Sequence, residues 1–365
     1  MSVMDAEERF KLITRNTAEV VVPSELREAL ETGVKLKGYI GIEPSGFFHI
    51  GWLIWSFKVD DMVKAGVDWR ILEATWHAMI NDKLGGDMDK IRKAARLIRK
   101  VLWAIGVDVG KIKFVDAEDM ASDKDYWETV IRVAKANSLA RIKRALTIMG
   151  RKAEEADIDS SKLIYPSMQV SDIFYMDLDI ALGGMDQRKA HMLARDTAPK
   201  LGYKKPISIH TPLLTGLQGL GRMNPAEITD EEHAIEFKMS KSKPESSIFI
   251  HDKPEDIRRK LKKAYCPPRQ EKFNPVLEIN KYILFTREGF QLIVERPEKY
   301  GGTVVYDSYE RLLDDYMNGR LHPADLKKAT AEALIELLNP IRERLLSDKE
   351  AMALLEEMSN VKITR

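Results

Sequence analysis

The chain has 365 residues, 44% of them hydrophobic and 32% charged, a globular composition with room for two domains that excludes a disordered or fibrous protein. Lys and Arg total 58 against 57 Asp and Glu, for a net charge of +1, so any nucleic-acid surface must gather its basic residues on one face. The single cysteine, Cys266, excludes an internal disulfide and a thiolate zinc site, the acidic start (Met1-Ser2-Val3-Met4-Asp5-Ala6-Glu7-Glu8) does not read as a signal peptide, and no apolar run approaches the ~20 residues of a membrane span; the expected setting is a reducing cytoplasm.

Residues 7–30 read as short helices, with Pro23-Ser24-Glu25-Leu26 as a helix start. Residues 36–42 form a short apolar run ending near Gly41, a buried-strand pattern; 49–63 reads as a helix and 69–74 as a second strand. Apolar residues at 91, 94, 95, 98, 101, 102 and 105 keep the helical period. Residues 112–117 and 178–182 are further strands, the latter ending at Gly183-Gly184. Strands alternating with helices predict an α/β fold with a parallel sheet covered by helices on both faces. After Asp252 helical patterns dominate, over 256–264 and 324–346, with an interruption or kink expected at Pro340. The expected organisation is a Rossmann-type domain over 1–250, with a helical insertion at about 118–163, followed by an all-α domain over 251–365.

Two distant segments suit a triphosphate gripped from two sides. In Gly41-Ile42-Glu43-Pro44-Ser45-Gly46-Phe47-Phe48-His49-Ile50-Gly51, glycines let a ligand approach the backbone, and a helix beginning near His49 presents N–H groups and a positive dipole end. In Lys238-Met239-Ser240-Lys241-Ser242, two lysines sit among serines, after the acidic Asp230-Glu231-Glu232. Taken alone, the first segment equally fits an ordinary strand-to-helix turn, and an isolated lysine pair such as the second more often marks a solvated loop. No GxxxxGK[ST] stretch exists, which excludes a Walker-type site.

These segments resemble the HIGH and KMSKS elements of the class I aminoacyl-tRNA synthetases. The resemblance implies that Gly41, Gly46, His49, Gly51, Gly184, Asp186, Lys238, Ser240 and Lys241 serve ATP, with His49, Lys238 and Lys241 catalytic and the lysines stabilising charge on the pyrophosphate as the loop closes. Trp52 stands where the second histidine of the HIGH element often lies.

Tyr165, Gln169 and Asp172 lie four and three apart and share one helix face amid Ile164, Met168, Val170 and Ile173, a mostly apolar setting with few polar groups; the spacing alone fits a half-buried helix whose polar face meets water better than it fits a pocket. The stretch from Tyr165 to Asp172, with Gly183-Gly184-Met185-Asp186-Gln187-Arg188-Lys189 and Tyr39-Ile40-Gly41, resembles the tyrosyl-tRNA synthetases of archaea and eukaryotes. The resemblance runs from about residue 8 to the last helix. It implies that Tyr39 and Asp172 bind a phenol hydroxyl, that Tyr165, Gln169 and Gln187 hold an α-amino group, and that Asp186 lies at the ribose beside Gly184. Thr75 stands where an aspartate is common. A pocket that pairs a hydroxyl can reject the analogue lacking it by ~10⁴ to 10⁵ without editing.

Two basic clusters could neutralise phosphates: Arg141, Lys143, Arg144, Arg151 and Lys152, and Arg258, Arg259, Lys260, Lys262 and Lys263. The resemblance places the first near a dimer interface and the acceptor stem, with Arg188 near the acceptor end. Arg296-Pro297-Glu298-Lys299-Tyr300-Gly301-Gly302 and Leu321-His322-Pro323-Ala324-Asp325-Leu326-Lys327 resemble anticodon-reading segments, in which Tyr300 would stack on the first base, Asp325 would bond it and His322 would lie beside it. The expectation is therefore an ATP-dependent tyrosine–tRNA ligase acting on L-tyrosine, ATP and tRNA as a homodimer, with Mg²⁺ carried on the ATP phosphates and no protein metal site. A tryptophanyl enzyme is opposed by Tyr39 and Asp172, since an indole offers one donor and no acceptor. A non-catalytic RNA-binding paralogue is opposed by His49, Lys238 and Lys241, and a nucleotidylyltransferase that ignores tRNA by the C-terminal segments.

Overall fold

The computed structural model describes residues 4–150, 159–221 and 236–359. Arg151, Lys152 and the acidic run Asp230-Glu231-Glu232 lie outside them. The chain divides into two compact units, one of residues 1–46, 55–212 and 354–365, the other of residues 47–54 and 213–353. The contacts thus group the lysine loop with the second unit.

The first unit is built on a sheet in the order β1-β6-β5-β2-β3-β4. Its strands are β1 (Glu19–Val20), β2 (Lys37–Ile42), β3 (Asp68–Glu73), β4 (Ile112–Asp116), β5 (Ile180–Gly184) and β6 (Ile207–Thr211). All neighbours are parallel except β1, which pairs antiparallel with β6. Tyr39 of β2 sits opposite Arg70 on one side and Ala181 on the other. Close packing of β2 on β3 requires Gly38, because a Cβ there would meet the Trp69 ring at 2.4 Å.

The chain leaves β2 toward β3 and β4 on one side, whereas β5 and β6 lie on the other. Strand order therefore reverses between β2 and β5, and ligands of open α/β sheets settle at the carboxyl ends of such a pair. The segments ending at Glu43 and Gly184 occupy that position.

Helices α1 (Ala6–Thr14), α2 (Pro23–Glu31), α3 (Gly51–Lys64), α4 (Thr75–Ile80) and α5 (Met88–Ile105) come first. The Asp87 side chain caps α5, accepting from Asp89 N and Lys90 N, and Gly106 ends it at φ +97°, a left-handed conformation that favours glycine. Then come α6 (Ala117–Ala121), α7 (Lys124–Lys135), α8 (Leu139–Ala145), α9 (Tyr165–Tyr175) and α10 (Arg188–Leu201). Tyr39, Leu72, Tyr126, Val130, Tyr165 and Met168 share one buried cluster, which ties β2, β3, α7 and α9 together.

The second unit contains α11 (Pro254–Lys263), the short α12 (Pro275–Ile279), α13 (Tyr309–Met317) and α14 (Pro323–Ser347); α15 (Lys349–Ser359) follows. Helices dominate as expected, with one addition: β7 (Leu292–Val294) and β8 (Val304–Tyr306) form an antiparallel pair. Helix α14 runs through Pro340 without the expected interruption. Proline removes one helical hydrogen bond, and buried Leu334, Leu337, Leu338, Ile341 and Leu345 on either side keep that stretch packed.

Candidate functional site

In the first unit, polar groups converge at the β2–α9 junction. Asp172 is buried on α9 and Tyr39 is buried on β2. The Tyr126 hydroxyl donates to Asp172 Oδ1 at 2.9 Å. His77 Nε2 lies 3.3 Å from Asp172 Oδ2, a charge contact rather than an aligned hydrogen bond. Burial disfavours a charged His77, yet the charge and reach of Asp172, with Glu43 behind it, win and raise its pKa above the ordinary value. Burial, reinforced by the Asp172 charge, holds the Tyr39 phenol far above its usual range, and the same two causes act on Tyr126. All of these phenols stay protonated donors.

Next to this carboxylate runs a second network. The Tyr165 hydroxyl donates to Glu43 Oε1 at 2.6 Å, and its ring meets His77 edge-on with centroids 5.0 Å apart. Asn81 Nδ2 donates to both Glu43 oxygens, at 3.0 and 3.1 Å, and to Met149 O at 3.2 Å. Gln169 Nε2 donates to Gln187 Oε1 at 3.0 Å, and Gln187 Nε2 donates to Ile148 O at 3.2 Å. Gln169 Oε1 is a buried acceptor with no partner among the described residues. Such an orphan is costly unless a ligand donor completes it. Gly183 is required here because a Cβ would come 2.8 Å from Gln187 Cβ. Gly184 and Asp186 close the end of β5, and Gly41 lies on β2 near the Tyr39 ring.

Thus Tyr39, Tyr165, Gln169, Asp172 and Gln187 come together. Sequence reasoning missed Glu43, His77 and Tyr126, which hold them. Glu43 stood within a quoted motif, but nothing in sequence marked Tyr126 or His77 as its spatial neighbours.

Arg188 grips Glu19 through Nε and Nη2 at 2.8 and 2.9 Å, and this fork is the main cause lowering the Glu19 pKa. His210 Nδ1 touches Glu19 Oε2 at 2.8 Å, and His191 stacks on His210 with ring nitrogens 3.0 Å apart.

In the second unit, residues 48–50 pair with 248–250. Ile50 N donates to Ile248 O at 2.9 Å and Ile250 N to Phe48 O at 3.1 Å. Helix α3 starts at Gly51, not at His49. The N–H groups of Trp52 and Leu53 already donate to His49 O and Ile50 O at 2.9 Å, so these two are not the phosphate donors expected of a helix start. A Cβ at Gly51 would sit 3.0 Å from the His49 ring, so glycine spares that ring a tight contact. His49 is only 7% exposed and its Nδ1 has no partner among the described residues. Burial, then the charges of Lys241 and Lys238, push its pKa well below the ordinary histidine value, so the ring is neutral.

Lys241, also 7% exposed, places Nζ 3.6 Å from the Trp52 ring centroid. The departure from the HIGH pattern is therefore a seat for the loop lysine. Thr215 pairs with Lys238, and Met239 N donates to Leu214 O at 2.6 Å, while Ser247 Oγ donates to Ser240 O at 2.7 Å.

The C-terminal candidates stay within the second unit. Tyr300 is 63% exposed in the turn Glu298–Tyr300. His322 Nδ1 accepts from Ala324 N at 3.1 Å and caps α14, with Asp325 in its first turn. Asp325 borders a cleft of about 240 Å³ with Ile293, Glu295, Lys328, Glu332 and Glu336. The second basic cluster is largely engaged with carboxylates: Arg258 forks onto Glu332, Arg259 binds Glu245, and Lys260 reaches Asp252 at 2.6 Å. In the first, Arg141 pairs with Asp196.

The family model of class I tRNA synthetases (W and Y) matches residues 31–339. A tyrosine–tRNA ligase of Aeropyrum pernix is 63% identical over 362 residues, covering 99% of each chain. The chain belongs to the class I tRNA synthetases, in their tyrosyl branch. A tyrosine–tRNA ligase of Sulfolobus acidocaldarius is 58% identical, covering 99% of this chain and all of its own. The crystal structure of a tyrosyl-tRNA synthetase from Pyrococcus horikoshii complexed with L-tyrosine aligns with TM-score 0.88 at 44% identity, over 97% of this chain and 100% of the other. Membership in this synthetase family accounts for both polar clusters being present in one chain. No helix among the described residues is long and apolar enough to cross a membrane.

Proposed function

We propose that this protein charges tRNA with tyrosine in two steps. The tyrosine carboxylate attacks the α-phosphorus of ATP, and pyrophosphate leaves with the cleaved bond's electrons. A hydroxyl of the terminal tRNA ribose then attacks the tyrosyl carbonyl, releasing AMP. No covalent enzyme intermediate is needed; positioning and charge stabilisation lower the barriers.

The observation that carries this reading is the buried Asp172 carboxylate, held by the Tyr126 hydroxyl beside Tyr39. With one oxygen occupied and lone pairs remaining, Asp172 accepts the substrate phenol hydroxyl while Tyr39 pairs its oxygen. Phenylalanine would leave these groups unpaired, whereas tyrosine satisfies them. The orphaned Gln169 Oε1 suits a substrate ammonium, with Tyr165 and Gln187 beside it.

Neutral His49 contributes a hydrogen bond to phosphate, and Lys238 and Lys241 offset the negative charge growing on the leaving pyrophosphate. Ser240 and glycines 41, 46, 51 and 184 let the nucleotide approach, with Asp186 at the ribose. Mg²⁺ rides on the ATP phosphates. On the tRNA side, Arg188 serves the acceptor end and Tyr300, His322 and Asp325 the anticodon. The expected assembly is a homodimer, working in the cytoplasm where tRNA is charged, without a membrane partner.

ATP–pyrophosphate exchange with tyrosine, phenylalanine and tryptophan tests this. Exchange driven by tyrosine alone is expected. Exchange driven by tryptophan would keep the fold and overturn the pocket; none at all would point to a non-catalytic RNA-binding role.

A further inference from the structure

The segment running from Leu214 through Leu217 is the base on which the lysine loop lies. Besides the Met239–Leu214 bond, Gly216 N donates to Phe237 O at 2.8 Å and Leu217 N to Ser246 O at 2.8 Å. Residues on both flanks of the loop are therefore bonded to one short stretch of backbone. Gly216 allows this closeness, since a Cβ would sit 2.5 Å from Ser246 Oγ. At the centre, Thr215 pairs directly with Lys238.

What fixes Thr215 comes from the helical part of the same unit. Glu278, on α12, takes the Thr215 amide on Oε2 at 2.7 Å and the Thr215 hydroxyl on Oε1 at 2.9 Å. Both carboxylate oxygens are thus committed to one residue. Five residues before Glu278, Phe273 sets its ring edge-on to Phe237, with centroids 6.5 Å apart, so the same stretch also supports the flank of the lysine loop. Helix α12 is itself tied down just beyond Glu278, where Asn280 Nδ2 donates to Val276 O at 2.9 Å and to Thr330 Oγ1 of α14 at 2.7 Å.

Keeping a carboxylate here is unfavourable. Burial pushes Glu278 up to about 7 even though the amide and hydroxyl of Thr215 pull it down. A glutamine or an apolar residue would avoid that penalty, so the fold tolerates it for the two acceptor oxygens.

We propose that Glu278 is a positioning residue for adenylate formation: through Thr215 it sets the backbone that carries Lys238 and Lys241, and so fixes where their charges meet the pyrophosphate. This rests on the reading of the loop lysines as ATP-directed. Displacement of a catalytic group by about 1 Å can cost on the order of 10²-fold in rate.

The test compares Glu278→Ala and Glu278→Gln with wild type in ATP–pyrophosphate exchange, using active-site concentration measured by tyrosine binding. Glu278→Ala should lower kcat/KM for ATP by roughly 10- to 100-fold, with tyrosine affinity and the tyrosine-binding fraction unchanged. Glu278→Gln keeps one acceptor for the Thr215 amide and should recover part of the loss, to within roughly 3- to 10-fold of wild type. Lys241→Ala runs beside them. If Lys241→Ala lowers the ATP step and neither Glu278 variant does, the positioning role is overturned while the loop reading survives. If Lys241→Ala leaves the ATP step unchanged, the loop reading itself fails. A loss in Glu278→Ala that follows the tyrosine-binding fraction, with KM for ATP unmoved, would make Glu278 merely structural and also overturn the proposal.

Discussion

Lys241 Nζ rests 3.6 Å from the centroid of the Trp52 ring, and both side chains belong to the unit that carries His49. An ammonium on an indole face in a water-poor setting gains about 1–2 kcal/mol. The face of the Trp52 ring therefore attracts the loop lysine.

Replacing Trp52 by alanine should reduce kcat/KM for ATP by roughly 5- to 30-fold, the equivalent of that cation–π energy. Trp52→Phe, which keeps a weaker ring face, should fall between. Steady-state exchange with varied ATP and saturating tyrosine gives the answer. A Trp52→Ala enzyme with unchanged ATP kinetics would mean that the seat is unimportant to the loop.

Specificity for tyrosine is expected to reside in Asp172 and to be shaped by Tyr126. Asp172→Ala removes the acceptor and also releases the Tyr126 hydroxyl and the His77 contact. It should lower tyrosine activation far more than phenylalanine activation and so shrink the ratio of their kcat/KM values. Tyr126→Phe deletes one bond to a charged group, worth about 1.5–3 kcal/mol, and should shrink the same ratio by roughly 10- to 100-fold. Exchange kinetics with both amino acids decide; an unchanged ratio in Asp172→Ala would remove it from phenol recognition.

Much of this was legible because periodic patterns and short motifs are local. Strands β2, β3, β4 and β5 and helix α5 follow their hydrophobic patterns within a few residues. Strand β6, Ile207–Thr211, did not show itself, because Ser208, His210 and Thr211 break up the apolar pattern although every residue in it is buried. Strand β1 contains only Glu19 and Val20, too short for any periodicity, and its existence depends on pairing with β6. In the site, residues on one helix face could be paired by spacing, as with Tyr165, Gln169 and Asp172. Tyr126 on α7, His77 on α4 and Glu43 after β2 could not, because only the packing of separate elements brings them to that face. Trp52 illustrates the same limit: the sequence marked it as a departure, and only the fold reveals the lysine above it.

Stability should fall on mild acidification. His191 is buried against His210, and burial first, then the His210 charge, depress its pKa well below the ordinary value. The unfolded chain takes up a proton on this residue as pH drops through about 6.5, while the folded state resists. Unfolding is therefore favoured as pH falls below that value, by up to about 1.4 kcal/mol per pH unit for one proton. His191→Phe should flatten the decline in melting temperature between about pH 7.5 and 5.5, a window set by the same unfolded value. His77 has the opposite sign: its pKa is raised by Asp172 against the effect of burial, so its contribution is full below the unfolded value and lost as pH rises through the folded one. Thermal melts across this range, with each histidine replaced in turn, should show opposite changes in slope.

Separation of the two reaction steps should appear at Asp325. This residue lies in the first turn of α14, on the rim of the cleft with Lys328 and Glu332, in the same unit as exposed Tyr300. If it reads an anticodon base edge, losing that contact costs about 1–3 kcal/mol at the tRNA step alone. Asp325→Ala should raise the KM for tRNA by roughly tenfold or more while tyrosine-dependent pyrophosphate exchange stays within about twofold of wild type. His322→Ala needs a control, because its ring nitrogen caps the same helix and removing a cap costs about 1 kcal/mol of stability. His322→Asn retains a capping acceptor, so a tRNA defect in Asn as well as Ala would mark a contact with RNA, whereas a defect in Ala alone would mark the cap. Should Asp325→Ala depress exchange and charging together, the anticodon assignment at α14 would be wrong, and the residue would instead support the unit that carries the lysine loop.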